Sequence, residues 1–72
     1  MTPDALEWLE VQSSHIDRIA YAPEEASIFV EFSNGAIWKY PGDLEDWEAF
    51  KNAESLGRYV HFFFRGKSQR IQ

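Results

Sequence analysis

The sequence contains no cysteine, so it can form neither a disulfide framework nor a thiolate metal site. It has no apolar run near the roughly 18 residues that cross a bilayer, and residues 1–4 lack the basic and apolar regions of a signal peptide. Small secreted domains usually depend on disulfides or metals. We therefore expect a cytoplasmic protein without a membrane segment.

Basic residues are scarce, with 7 lysines and arginines against 12 acids and a formal net charge of −5. This balance argues against non-specific nucleic-acid binding and against anionic membranes, because both need a basic surface. The charges are unevenly distributed, since all 12 acids lie in residues 4–54. Residues 55–72 carry Arg58, Arg65, Lys67 and Arg70 and no acid. The C-terminal quarter is therefore the cationic end.

What the chain has instead is aromatic side chains, which make up 17% of its 72 residues. This length allows one domain with a small core, and each buried ring removes about 150–250 Å² from water. Strand patterns cover residues 16–21, 28–32 and 36–40, separated by turn residues. Residues 1–10 form an N-terminal extension that is either a short helix or an edge strand, the latter over residues 7–11.

The Asn34-Gly35 pair predicts a hairpin between the second and third of these strands. A two-residue loop pairs Val30 with Lys39, whereas a three-residue loop pairs Val30 with Trp38 and gives one continuous apolar face. We favour the three-residue loop, with Gly35 at positive φ in a bulge. In this register Trp38 belongs to the core.

Two helices are predicted after Pro41-Gly42. Asp43 is the expected N-cap of the first, whose apolar stripe has a spacing of three. That stripe comprises Leu44, Trp47, Phe50 and Ala53. Ser55 is the expected N-cap of the second, which ends at Gly66. Its predicted buried stripe comprises Leu56, Tyr59, Val60 and Phe63. We expect residues 67–72 to fray.

These elements predict an α+β domain. Its antiparallel meander has three strands, or four with the N-terminal edge strand, and one or two C-terminal helices pack on one face of the sheet. Several short motifs follow one another along the chain: Ser13-Ser14, Ile19-Ala20-Tyr21, Val30-Glu31-Phe32, Asn34-Gly35, Trp38-Lys39-Tyr40 and Ala53-Glu54-Ser55-Leu56-Gly57-Arg58-Tyr59. Their order, from residue 11 to residue 65, resembles the KTSC domain.

The resemblance implies the α+β fold, with a KTSC-like domain over residues 11–66, but it implies no agreed activity. The family occurs at the C-terminus of some lysyl-tRNA synthetases and as free-standing bacterial and phage proteins, which suggests an accessory binding role. Two departures affect the site: Trp38 stands where the family usually has tyrosine, and Val60-His61 where it usually has phenylalanine and asparagine.

The segment Ser55-Leu56-Gly57-Arg58 combines backbone N–H groups, a small residue and a cation at a helix start, a recipe for holding phosphate or carboxylate. The alternative is a simple serine cap with Gly57 kept small for close packing. Arg58, His61, Phe62 and Arg65 share one helix face and are able to stack a base while pairing with an anion. The alternative is a solvated face with Phe62 against the C-terminal tail.

Catalytic and metal sites are not predicted. Ser13, Ser14 and His15 are neighbours in sequence, but adjacent residues on a strand point to opposite faces, and hydroxyls here are typical of turns. Neither His15 nor His61 has a second ligand at metal spacing. A hydrolase is therefore the least favoured class.

The favoured hypothesis is a non-enzymatic binding module without a cofactor. Its ligand is an anionic small molecule such as a nucleotide, or an acidic protein segment, bound by Ser55, Gly57, Arg58, His61, Phe62 and Arg65. The alternative is a structural or assembly domain that contacts other proteins, including a possible second copy of itself.

Overall fold

A computed structural model describes residues 6–64 and 69–71, the latter including only the backbone of residues 69 and 70. Five strands form one antiparallel sheet in the order β1-β2-β3-β4-β5, so every strand lies beside its neighbour in sequence. The strands are Leu9–Glu10, Ile16–Ala22, Ser27–Phe32, Ile37–Pro41 and Gln69–Arg70. The helices are α1, Leu44–Lys51, and α2, Leu56–Tyr59, which continues as the π-helical turn Val60–Phe64. The α+β fold class is thereby confirmed.

The hairpin between β3 and β4 has the predicted three-residue loop. Val30 pairs with Trp38, the Phe32 N–H donates to the Ala36 carbonyl at 2.8 Å, and Gly35 has φ +91°. The Asn34 side chain also accepts from the Ala36 N–H at 3.0 Å, which fixes the turn locally. Trp38 is partly buried and packs against the core.

An irregularity in β2 brings two isoleucines to the same face of the sheet. Ile16 pairs with Phe32 and Ile19 with Val30, with a register shift between residues 16 and 18. In a regular strand, side chains three residues apart point to opposite faces. The extra residue at position 17 shifts this alternation by one, so Ile16 and Ile19 are both buried on the same face. Ile16 and Ile19 are consequently among the largest fully buried side chains of the described chain.

The main core lies between this face and the helices. Its buried members are Ile16, Ile19, Ile28, Val30, Tyr40, Phe50, Leu56 and Phe64. Among the aromatic contacts, Tyr40 stacks on Phe64 with 4.6 Å between ring centroids, and Phe50 meets Phe64 edge-on at 5.2 Å.

The far face of the sheet, which the helices do not cover, carries a second small cluster that the sequence analysis did not predict. Its buried members are Ala20, Ala22, Phe29 and Ile37, against which Leu6 and Trp8 pack. The Arg18 guanidinium lies 4.5 Å from the centre of the Trp8 ring and forms an ion pair with Glu31. Both faces of the sheet therefore contribute apolar packing.

The predicted burial of Leu44 and the predicted fraying at residues 69 and 70 were wrong, whereas the edge-strand alternative for the N-terminal extension agrees with the structure. Leu44 is 61% exposed, because six residues place it about 120° around the helix from buried Phe50. In the extension, residues 9 and 10 form the edge strand β1, which pairs with β2. Residues 69 and 70 do not fray, since they pair with residues 38 and 39 and satisfy backbone groups that the edge of β4 leaves open.

Candidate functional site

The two predicted helix caps determine where the candidate site lies. Asp43 and Asp46 form a reciprocal capping box at the start of α1, with bonds of 3.0 and 3.1 Å. At its other end the Asn52 side chain donates to the Glu48 carbonyl at 2.8 Å, and the Ala53 N–H donates to the Phe50 carbonyl at 3.1 Å. The chain therefore turns sharply into Ser55.

Ser55 is the N-cap of α2, as predicted. Its hydroxyl oxygen accepts from the Arg58 N–H at 3.3 Å, and its carbonyl accepts from the Tyr59 N–H at 3.0 Å. The α2 segment is only four residues long, so we base no anion site on its N-terminus. The close-packing explanation for Gly57 is wrong, because a Cβ built at this position meets nothing within 4 Å.

The π-helical turn decides which of three consecutive phenylalanines enters the core. A π-helix advances by more residues per turn than an α-helix, so the residue below Tyr59 and Val60 is Phe64. Phe64 is 5% exposed, whereas Phe62 and Phe63 are 69% and 61% exposed. The prediction that Phe63 is buried is therefore wrong. The alternative that Phe62 lies against the C-terminal tail involves residues 65–68 and 72, which lie outside the described ranges.

We call Arg58, Phe62 and Phe63 the outer face of this segment. The Tyr59 and Phe63 rings lie 4.5 Å apart between centroids, and His61 meets the Phe62 ring edge-on at 5.2 Å. A shallow hollow of about 210 Å³, which we call the aromatic depression, opens here. It is lined by Ala53, Glu54, Ser55, Arg58, Tyr59, Phe62 and Phe63. Large apolar side chains this exposed, and beside one another, are typical of interaction surfaces.

The electrostatics of the aromatic depression combine one cation, one acid and one phenol. Arg58 is exposed and makes no ion pair with any residue in the described ranges. Burial, and secondarily the carboxylate of Asp46, raise the pKa of Tyr59 above its usual value. Its neutral hydroxyl is able to donate a hydrogen bond. Glu54 is the acid at the rim.

The structure brings only part of the predicted site together. Ser55, Arg58 and Phe62 line the aromatic depression, whereas Gly57 and His61 do not. Arg65 lies outside the described residues. Tyr59 and Phe63 were missed as site residues because an unbroken 3.6-residue period assigned both to the core. The signal that pointed to them is the run Phe62-Phe63-Phe64, since three consecutive rings cannot all face inward on one helix.

The described ranges contain neither a candidate metal site nor a candidate membrane-spanning helix. No group of three or more histidine and carboxylate side chains there lies close enough to hold a metal ion. No helix within those ranges has the length and apolar character needed to cross a membrane.

Comparisons with known proteins agree with the fold and with the sequence resemblance. The KTSC domain crystal structure from Yersinia pestis gives a TM-score of 0.79 at 28% identity, covering 94% of this chain and 97% of that one. An uncharacterized protein of Stutzerimonas stutzeri is 36% identical over 61 residues, which is 83% of this chain and 86% of that protein. The KTSC domain model matches residues 12–67. The chain therefore belongs to the KTSC domain family.

Proposed function

We propose that this KTSC domain is a non-enzymatic, cytoplasmic binding module. Its outer face takes an anionic ligand that also carries a flat ring, and a nucleotide is the small molecule that best combines the two. The observation that carries the proposal is the placement of Arg58, which forms no ion pair within residues 6–64 and 69–71, beside the exposed rings of Phe62 and Phe63. An arginine guanidinium attracts an anionic ligand and is able to lie flat against its ring, and an aromatic ring stacks on any base.

The exposure of Phe62 and Phe63 is costly unless a ligand or partner covers them. Burying a phenylalanine ring stabilises a protein by about 1.5–3 kcal/mol relative to leaving it in water. Phe64 is buried and contributes this stabilisation, whereas Phe62 and Phe63 are exposed and do not. A ligand ring that covers Phe62 and Phe63 recovers part of this free energy on binding.

The size of the aromatic depression limits what it can hold. Ligand pockets usually have volumes of about 300–1,000 Å³, and this hollow has about 210 Å³. It therefore accommodates one ring system and leaves the remainder of a nucleotide outside. The net charge of −5 opposes long-range attraction of polyanions, which favours a small ligand over extended nucleic acid.

A second candidate function is assembly through the same face. The two adjacent exposed rings are also suited to burial against a second copy of the chain, because apolar patches are a common feature of self-association surfaces. Light scattering over a range of protein concentrations separates the two functions. A stable dimer that Phe62→Ala converts to a monomer favours assembly, and a monomer throughout favours the ligand module.

Thermal melting tests the ligand-binding function. The four ribonucleoside 5′-monophosphates, and a short acidic peptide with one phenylalanine, are each added to the parent, Phe62→Ala and Leu44→Ala proteins. Leu44 is a matched control, because its 61% exposure resembles that of Phe62 but it does not line the aromatic depression.

We expect at least one nucleotide to raise the melting temperature of the parent and of Leu44→Ala, and not that of Phe62→Ala. A ligand at about 100 times its Kd stabilises by about 2.7 kcal/mol. If no nucleotide stabilises the parent, or if Phe62→Ala responds as fully as the parent, the proposal is wrong. If only the acidic peptide raises the melting temperature, the ligand is an acidic protein segment and not a nucleotide.

A further inference from the structure

A second hollow adjoins the aromatic depression, and its lining is mostly polar. It has a volume of about 360 Å³ and lies between the loop that precedes β2 and the connection between α1 and α2. We call it the serine cleft. It is lined by Val11, Gln12, Ser13, Ser14, Lys51, Ala53, Glu54, Ser55 and Leu56. Residues 53–55 line both hollows, which therefore share one wall.

Hydrogen bonds hold both walls of the serine cleft in place. On the loop side, the Val11 N–H donates to the Asp17 carbonyl at 3.3 Å, and the Ser33 N–H donates to the His15 carbonyl at 2.9 Å. On the helix side, the Asn52 side chain and the Ser55 cap fix the connection. A site whose walls are already ordered loses less entropy when a ligand binds.

The polar side chains of the serine cleft have unused hydrogen-bonding capacity. Those of Gln12, Ser13 and Ser14 form no hydrogen bond with any residue between positions 6 and 64 or 69 and 71. The Ser55 oxygen accepts one bond from the Arg58 N–H and keeps its own proton to donate. The cleft therefore presents hydroxyl and amide groups ready for a hydroxylated ligand.

Lys51 adds a cation to this polar wall. Its Nζ contacts the Glu48 carboxylate at 2.6 Å, with both side chains substantially exposed. An exposed pair of this kind contributes little to stability, and an ammonium has three donors. Lys51 is therefore able to bind a phosphate while remaining near Glu48.

We infer that the serine cleft binds the sugar–phosphate portion of a ligand whose base lies on Phe62 and Phe63. This inference rests on the proposed function and narrows its ligand to a nucleoside phosphate. The base stacks in the aromatic depression, and the sugar crosses residues 53–55, where the Glu54 carboxylate accepts from its hydroxyls. The phosphate meets Lys51 and the donors of Ser13 and Ser14.

Calorimetric titration of ligand fragments tests the division of the ligand between the two hollows. Adenosine 5′-monophosphate, adenosine and ribose 5-phosphate are titrated into the parent, Lys51→Gln, Ser13→Ala/Ser14→Ala and Phe62→Ala proteins. Lys39→Gln is the matched control, because Lys39 is also ion-paired, with Glu25 at 2.8 Å, but lies beside Phe29 of the far face.

We expect Lys51→Gln to weaken binding of the monophosphate about tenfold, the effect of losing one charge-assisted hydrogen bond, and to leave adenosine unchanged. The double serine variant should weaken both phosphate-bearing ligands. Phe62→Ala should weaken adenosine and the monophosphate but not ribose 5-phosphate. Lys39→Gln should match the parent.

Two other results overturn the inference in distinguishable ways. Binding of the monophosphate that depends on Phe62 but is the same in the Lys51 and serine variants as in the parent refutes the role of the serine cleft and leaves the proposed function standing. If neither this monophosphate nor any of the other three ribonucleoside 5′-monophosphates binds the parent, the proposed function is wrong, and the serine cleft then holds no part of a nucleotide.

Discussion

Both sides of the helical segment at residues 56–64 carry phenylalanine, but the ring is buried on one side and exposed on the other. On the inner side, Phe64 is 5% exposed and contacts the rings of Tyr40, Phe50 and Tyr59. On the outer side, Phe62 and Phe63 remain mostly in water. The difference arises from the π-helical turn, which selects one ring of three for the core. Stability and binding should therefore be separable by single substitutions within three residues.

Phe64→Ala should have the largest effect on stability. Truncating a buried phenylalanine costs about 3–5 kcal/mol, and a domain of this size shifts its melting temperature by about 4–8 °C for each kcal/mol. Chemical denaturation followed by circular dichroism measures the loss. Phe63→Ala is the matched control and should stay within about 0.5 kcal/mol of the parent, as exposed sites usually do. Equal losses in the two variants would show that the assignment of sides is wrong.

An alkaline titration should sharpen the same comparison at Tyr40, the ring stacked on Phe64. Burial raises the pKa of Tyr40 from 10.0 to about 12, since the phenolate is poorly solvated in the core. The unfolded chain ionises this group at lower pH than the folded chain does. Its contribution to stability is therefore complete below pH 10 and is lost as pH rises from 10 to about 12.

Unfolding measured between pH 8 and pH 12 should accordingly show a smaller alkaline loss of stability in Tyr40→Phe than in the parent. The remaining loss includes Tyr59, whose pKa is also raised. An alkaline profile in Tyr40→Phe that overlays the parent would place the Tyr40 hydroxyl in water rather than against the core.

Ser55→Ala should have a smaller effect, because it removes only the cap that starts the helical segment. The lost bond from the Arg58 N–H predicts a destabilisation of about 1 kcal/mol. Ser33→Ala serves as the control, since the Ser33 side chain is exposed and bonds to nothing in the described part of the chain. If Ser55→Ala is as stable as Ser33→Ala, the Ser55 cap contributes nothing and core packing alone holds the helical segment in place.

Local features of this fold could be predicted from the sequence. The caps at Asp43 and Ser55, and the Gly35 hairpin with its Val30–Trp38 register, each depend on a few neighbouring residues. The far-face cluster could not. This cluster forms because Leu6 and Trp8 pack against Ala20 and its neighbours. The hydrophobic pattern within each segment does not indicate that these two segments meet.

The candidate site could be predicted only in part for a related reason. Arg58 and Phe62 were correctly placed on the outer side, because they lie about 160° and about 120° around an α-helix from Leu56. Whether Phe63 or Phe64 enters the core depends on the positions of Tyr40 and Phe50. The spacing of apolar residues within the helix gives no information about those positions. Packing against these rings favours the π-helical turn, which in turn exposes Phe63.

A two-dimensional ¹H–¹⁵N NMR titration with adenosine 5′-monophosphate tests the central claim most directly. Binding across the two hollows predicts saturable shift changes at residues 53–63 and 12–14, with the β3–β4 loop at residues 33–35 and the far-face residues Ala20 and Phe29 unchanged. The same titration of Phe62→Ala should show little change at any of these residues. Saturable shifts centred on the far face, or no saturable shift in the parent, would contradict the claim that the outer face of the helical segment is the binding site.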